Sequence, residues 1–157
     1  MKKAFFSFLA VASVVLNGYS QQTLQSAIEQ SDSRFVKEWI ASGHDVNNIL
    51  IVNDQKLTPL AYAALKANPE MVNLLLNRGA QVNQKTDFQD ALMFAAMGGN
   101  TEIIETLLTA GANPMNENKM GKCARDLAKD AGHSAAHQLL SVETEKRVTA
   151  QRAKRLK

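Results

Sequence analysis

The stretch "DQKLTPLAYAALKANPEMVNLLLNRGAQVNQ", Asp54 to Gln84, decides the fold. It reads as a short helix of small residues, a turn, and a second helix with a Leu-rich face, closed by a glycine. Much of the pattern returns about thirty residues on as "FQDALMFAAMGGNTEIIETLLTAGANPMN". Placing the glycines after the apolar runs in register aligns Gly43, Gly79 and Gly111, at spacings of 36 and 32 residues. Leu24, Leu60 and Leu92 then match, as do Ala27, Ala63 and Ala95, then Val36, Val72 and Ile104, then Ile40, Leu76 and Leu108. The helical segments Thr58 to Ala67 and Glu70 to Arg78 are too short to be stable alone. They require stacking on neighbouring copies, which predicts a repeat solenoid.

Five blocks carry a resemblance: "TPLAYAA" at 58–64, "LLNRGAQVN" at 75–83, "ALMFAAMGGN" at 91–100, "IIETLLTAGANP" at 103–114 and "GKCARDLAKDAGH" at 121–133. On them the chain resembles the ankyrin-repeat family. The resemblance implies an all-α solenoid of about four helix-turn-helix repeats, near 22–53, 54–84, 85–117 and 118–141, with finger turns projecting at right angles. Thr58 fits an N-cap before Pro59, whose missing N–H and fixed φ suit the first helical position. Gly79 and Gly111 fit the left-handed position that ends a helix. The pattern departs from the family at the fingers. The finger glycine is present at Gly121 but replaced by Lys56 and Phe88, and "ILIV" lengthens the link from Asn47 to Asp54 by four residues. These fingers are expected to be less regular, and the first extended or distorted. Trp39 replaces a repeat Leu and is expected in the core.

Met1 to Ser20 reads as an export signal: Lys2 and Lys3, the thirteen-residue run Ala4 to Leu16, then small residues at Gly18 and Ser20. The run is shorter than the roughly 20 residues a span needs, so the expectation is cleavage and a periplasmic chain with no stable membrane insertion. The ankyrin-repeat domain then occupies 21–141 and a basic tail 142–157. Cys123 is the single cysteine, so no intramolecular disulfide forms, and burial is its expected fate.

Charge separates along the chain. Residues 21–145 hold ten bases and fifteen acids, net −5, whereas "KRVTAQRAKRLK", 146–157, holds six bases and no acid. A basic body with interleaved aromatics is missing, which argues against nucleic-acid recognition. The tail, with Val148, Arg152, Arg155 and Leu156 near helical spacing, reads either as a solvated extension of the last helix or as a device that attracts an acidic partner.

No catalytic constellation emerges. His133 and His137 have helical spacing, but a zinc protease would need Glu where Ser134 stands, and two His alone make a weak metal site. In the family a His at this place bonds the neighbouring loop. Asp90 takes the place of Thr58 and reads as an N-cap. Neither a catalytic residue, a metal ligand nor a cofactor is expected.

Positions two and five after the first-helix Leu are expected on the concave surface: Ser26 and Glu29, Tyr62 and Leu65, Phe94 and Met97, Leu127 and Asp130. Tyr62, Leu65, Phe94 and Met97 would form an apolar patch with polar ends, the alternative being that some of them are core. Phe88 on a finger completes the candidate partner-binding set, its alternative role being packing against the next finger. Exported bacterial ankyrin proteins of this size that the chain resembles include inhibitors that protect a cell from its own wall-cutting enzymes and partners of catalases. The expectation is a non-catalytic chain, monomeric when free, that inhibits a periplasmic cell-wall-acting enzyme by occlusion. The alternative is a chaperone or scaffold for a periplasmic redox or haem enzyme such as catalase.

Overall fold

The computed structural model describes residues 23–156, so the expected export signal at 1–20 lies outside the described residues, as does Lys157. Helices come in pairs: α1 (Leu24–Glu29) with α2 (Ser33–Ala41), α3 (Pro59–Leu65) with α4 (Pro69–Asn77), α5 (Ala91–Met97) with α6 (Thr101–Thr109), and α7 (Ala124–Asp130) with α8 (Ser134–Arg155). The four pairs stack in sequence order, the solenoid that the repeat pattern demands. First helices pack more closely on one another than second helices do. That imbalance curves the array, with the first helices on its concave side.

Polar caps fix where each helix starts. Thr58, Asn68, Asp90 and Asn100 each accept a hydrogen bond from the backbone N–H three residues on, at 3.0 to 3.1 Å. Pro59 and Pro69 open their helices without losing a bond. Gly43, Gly79 and Gly111 close second helices at φ of 91°, 90° and 94°, where a side chain would be strained although space is open. Gly99 answers a different demand: a Cβ there would lie 2.5 Å from the His133 ring.

The core runs along the stack. Leu24, Ala27 and Ile28 lead into Leu60, Ala63 and Met71, then Leu92, Ile103 and Leu107, then Ala128 and Leu140. Small residues let first helices approach, and large ones fill the wedge towards the second layer. Polar side chains tie repeat to repeat. Asn68 Nδ2 donates to the Ile28 carbonyl at 2.9 Å, and His133 Nε2 donates to the Met97 carbonyl at 3.0 Å. Asn47 and Asn83 accept from the backbone N–H of Gln81 and Asn113 at 2.7 and 2.8 Å.

The first finger is a regular antiparallel hairpin, β1 (Leu50–Val52) with β2 (Gln55–Leu57), rather than a distorted loop. Asn53 and Asp54 have φ of 49° and 63°. Positive φ at both central residues is the turn geometry that matches strand twist, so the "ILIV" insertion lengthens the finger without breaking it. Lys56 therefore lies in β2, and the finger-glycine role falls to this pair. Trp39 is half-buried at the margin of the core, stacked on His44 with ring centres 4.5 Å apart. The boundary drawn at 141 falls inside α8, whose 22 residues continue without a break through Arg155, although its last buried residue is Leu140.

Candidate protein-binding surface

The five residues expected to meet a partner separate into two groups. Leu65, Met97 and Phe88 are exposed, at 44%, 42% and 55%. Tyr62 and Phe94 are buried, which corrects their placement on the open concave surface. A first helix here is hemmed in by the first helices on both sides and by its own second helix, so only its last turn reaches solvent. The position five after the Leu is in that turn, and the position two after it faces a neighbour. Tyr62 fills the space between α1 and α3, and only its hydroxyl reaches the surface network, donating to Glu29.

Lys66 completes that network, 3.0 Å from Glu29 and 5.3 Å from the centre of the Tyr62 ring. The bond from Tyr62, then Lys66, holds the Glu29 carboxyl below the ordinary carboxylate range. Burial, then the bond to Glu29, pushes the Tyr62 phenol up, and Glu29 does the same for Lys66. The concave surface thus has a polar end at α1 and α3 and an apolar strip at Leu65 and Met97. Lys122, 2.6 Å from Asp130, makes it polar again at the last repeat.

Phe88 sits at the tip of the second finger, where Thr86 and Gln89 bond to each other at 2.9 Å in both directions. Asp87 and Phe88 between them have φ of 47° and 69°. Glycine is the usual occupant of such a position, as at Gly121, φ 69°, in the third finger. A large aromatic held there is strained, and strain of this kind motivates a functional hypothesis. The ring is not buried against the next finger. Lys119 lies over it, 4.7 Å from its centre, while more than half of the side chain faces solvent.

Sequence reasoning missed two further members of this edge. Ile51, 70% exposed, and Met120, 72% exposed, stand on the first and third fingers. Each finger therefore carries at least one exposed apolar side chain, and the signal was present in the residues "ILIV" and "KMG".

Among the described residues the titratable groups do not assemble into a site. His133 and His137 point to different carbonyls, Met97 and Arg125; the bond expected to a neighbouring loop is made instead to the last residue of α5. Asp90 is the N-cap, and its other oxygen accepts from Asn116 at 2.8 Å. Cys123 is buried and donates to Asp126 at 3.1 Å, and burial raises its thiol above the ordinary range, which makes it a poor nucleophile.

Stacked helix pairs with projecting hairpin fingers, an apolar finger edge and no converging reactive groups among the described residues define a binding scaffold. The particular scaffold follows from comparison with known proteins: ankyrin repeats in three copies match residues 5–86, a further ankyrin repeat matches 89–119, and the chain belongs to the ankyrin-repeat family. It is also similar to "Ankyrin repeat, SAM and basic leucine zipper domain-containing protein 1" of Oryctolagus cuniculus and of Eulemur macaco macaco, 38% identical over 74 residues in each. That stretch is 47% of this chain but 15% of each relative, so the likeness is to a small part of those proteins.

Proposed function

We propose that the chain is a non-catalytic module that holds one protein partner along its finger edge and the adjoining concave strip. Phe88 carries the reading: a strained aromatic packs only in part, under Lys119, and leaves more than half its surface to solvent, and aromatics supply a disproportionate share of binding energy at interfaces. Leu65, Met97 and Met120 extend it into an apolar surface with polar surroundings. The sense of the interaction is inhibition: a preformed curved surface covers the active cleft of a periplasmic, cell-wall-acting enzyme. The basic start and short apolar run of residues 1–20 support export, and no helix among the described residues is long and apolar enough to cross a membrane.

Two measurements test this. Intact-mass analysis of the protein made in a bacterial host with its full N-terminus should show a chain beginning near Gln21, and a species retaining Met1 to Ser20 would refute export with cleavage. Titration of the chain into an envelope extract assayed for wall hydrolysis should lower the activity. Undiminished hydrolysis, with the retained protein instead gaining cofactor or solubility, would replace inhibition by the scaffold role.

A further inference from the structure

The first finger has one protected edge and one bare edge. In its two-residue hairpin, Val52 pairs with Gln55 and Leu50 with Leu57, so the backbone groups of Ile51 and Lys56 point outwards on opposite sides. On the β2 side the second finger closes the edge. The Lys56 N–H meets Asp87 Oδ2 at 3.3 Å, and the Gln55 side-chain amide reaches that of Gln89. On the β1 side no hydrogen bond from another described element reaches Ile51.

Edge strands are ordinarily guarded by a charge, a proline or a bulge. Ile49, Leu50, Ile51 and Val52 contain none of these, and Ile49 and Ile51 expose 48% and 70% of their surface. Leu50 and Val52 pack their side chains on the core, so the strand is held extended and in fixed register.

We propose that β1 is a self-pairing edge that joins two copies of this chain. Antiparallel pairing about a two-fold axis at Ile51 would build a four-stranded sheet in the order β2, β1, β1, β2. The two Ile51 residues exchange N–H and C=O bonds, and Ile49 of each copy lies opposite Asn53 of the other. A two-fold joint sets each strand against its own twin, so a charge on it would repel itself. A strand free of charge over four residues suits a second copy, and the two β-branched Ile51 side chains meet across the axis. The described basic residues of the tail, Lys146 to Arg155, lie on α8 in the last repeat, at the far end of the stack, and do not oppose the approach. The joint is short, so the association is weak and concentration-dependent, in place of the expected free monomer.

Sedimentation velocity on the chain from Gln21, from micromolar to near-millimolar concentration, reads this directly. The expected result is a sedimentation coefficient that rises towards the two-copy value, with the Ile51 amide exchanging more slowly at the high end. Ile51→Pro removes the outward N–H at an edge position that tolerates proline, leaving the bonds between β1 and β2 in place, and Ile51→Lys places a charge at the axis. Both should stay single at every concentration with unchanged helical circular dichroism, while Ile51→Val should still associate. A chain that stays single throughout would overturn the proposal, as would association undiminished in both variants. Slowed exchange at Ile51 that appears only on adding a strand-forming peptide would give the edge to a foreign strand and equally overturn it.

Discussion

Phe88 concentrates the functional argument in a single side chain. At φ 69° a residue with a Cβ is held about 1 to 2 kcal/mol above its relaxed backbone. Phe88→Gly should therefore raise the urea midpoint, by up to about 1 kcal/mol of stability once glycine's greater unfolded-state freedom is counted, while weakening partner binding. Stability and binding moving in the same direction would mean that the ring is structural. Tyr62 and Phe94 should behave in the opposite way: truncation to Ala empties a core site, and losses of about 3 to 5 kcal/mol in denaturation are expected. A second residue-scale test concerns Gly99. Gly99→Ala drives a methyl into the His133 ring and should loosen the last repeat, and His133→Ala in the same chain should recover part of the loss. Equal losses with and without His133 would place the strain elsewhere. The caps at Thr58 and Asp90 and the closing glycines Gly79 and Gly111 were legible in the sequence because each depends on neighbours close in the chain, whereas a structural bond from His133 was implied only by the family resemblance. The burial of Tyr62 and Phe94 was not, because helical spacing gives the direction of a side chain but not how many neighbours surround a seven-residue helix.

At the scale of elements, α1 and α3 are joined by the Glu29–Tyr62–Lys66 network, and its pH dependence has a defined sign. Glu29 titrates below its unfolded value, so its contribution is present above about pH 4 and lost as acid protonates the folded carboxylate. Tyr62 and Lys66 titrate above their unfolded values, so their contributions are complete below about pH 10 and lost as pH rises through the folded range. The melting temperature should form a plateau across neutral pH with an alkaline fall, and Tyr62→Phe should shallow that fall. An identical alkaline limb in the variant would assign it to other groups. The first finger shows the limit of reading by family pattern. The four-residue insertion through "ILIV" predicted a finger either extended or distorted, and the missing glycine a less regular one; the finger is extended and regular. The chain instead supplies Asn53 and Asp54, both tolerant of positive φ, inside a symmetric pair of apolar strands.

Across the whole molecule, charge and shape are divided between two ends. The described bases of the tail lie on α8 beyond Leu140, where nothing is buried, and among the described residues of this segment only Lys146 makes an ion pair, with Glu143 at 2.6 Å. A chain ending at Glu145 should consequently fold normally and keep most of its partner affinity, but associate more slowly at low salt, with the difference erased as salt rises. Equal association rates at low ionic strength would leave the tail a solubility device. The helical continuity of this segment was readable from its spacing, and its solvated character from its charge, since the last buried residue of α8 is Leu140. The central claim, a protein held on the finger edge, is tested most directly by one comparison. The chain from Gln21 and its Leu65→Ser, Phe88→Ser, Met97→Ser triple variant are immobilised in equal amounts and exposed to the same envelope extract, and the retained proteins are quantified by mass spectrometry. The account predicts one protein enriched on the unaltered chain and reduced at least about tenfold on the triple variant, which keeps its helical signal, since hot-spot losses of more than about 1 kcal/mol each combine to that or more. Retention of the same protein at the same level on both chains would contradict it.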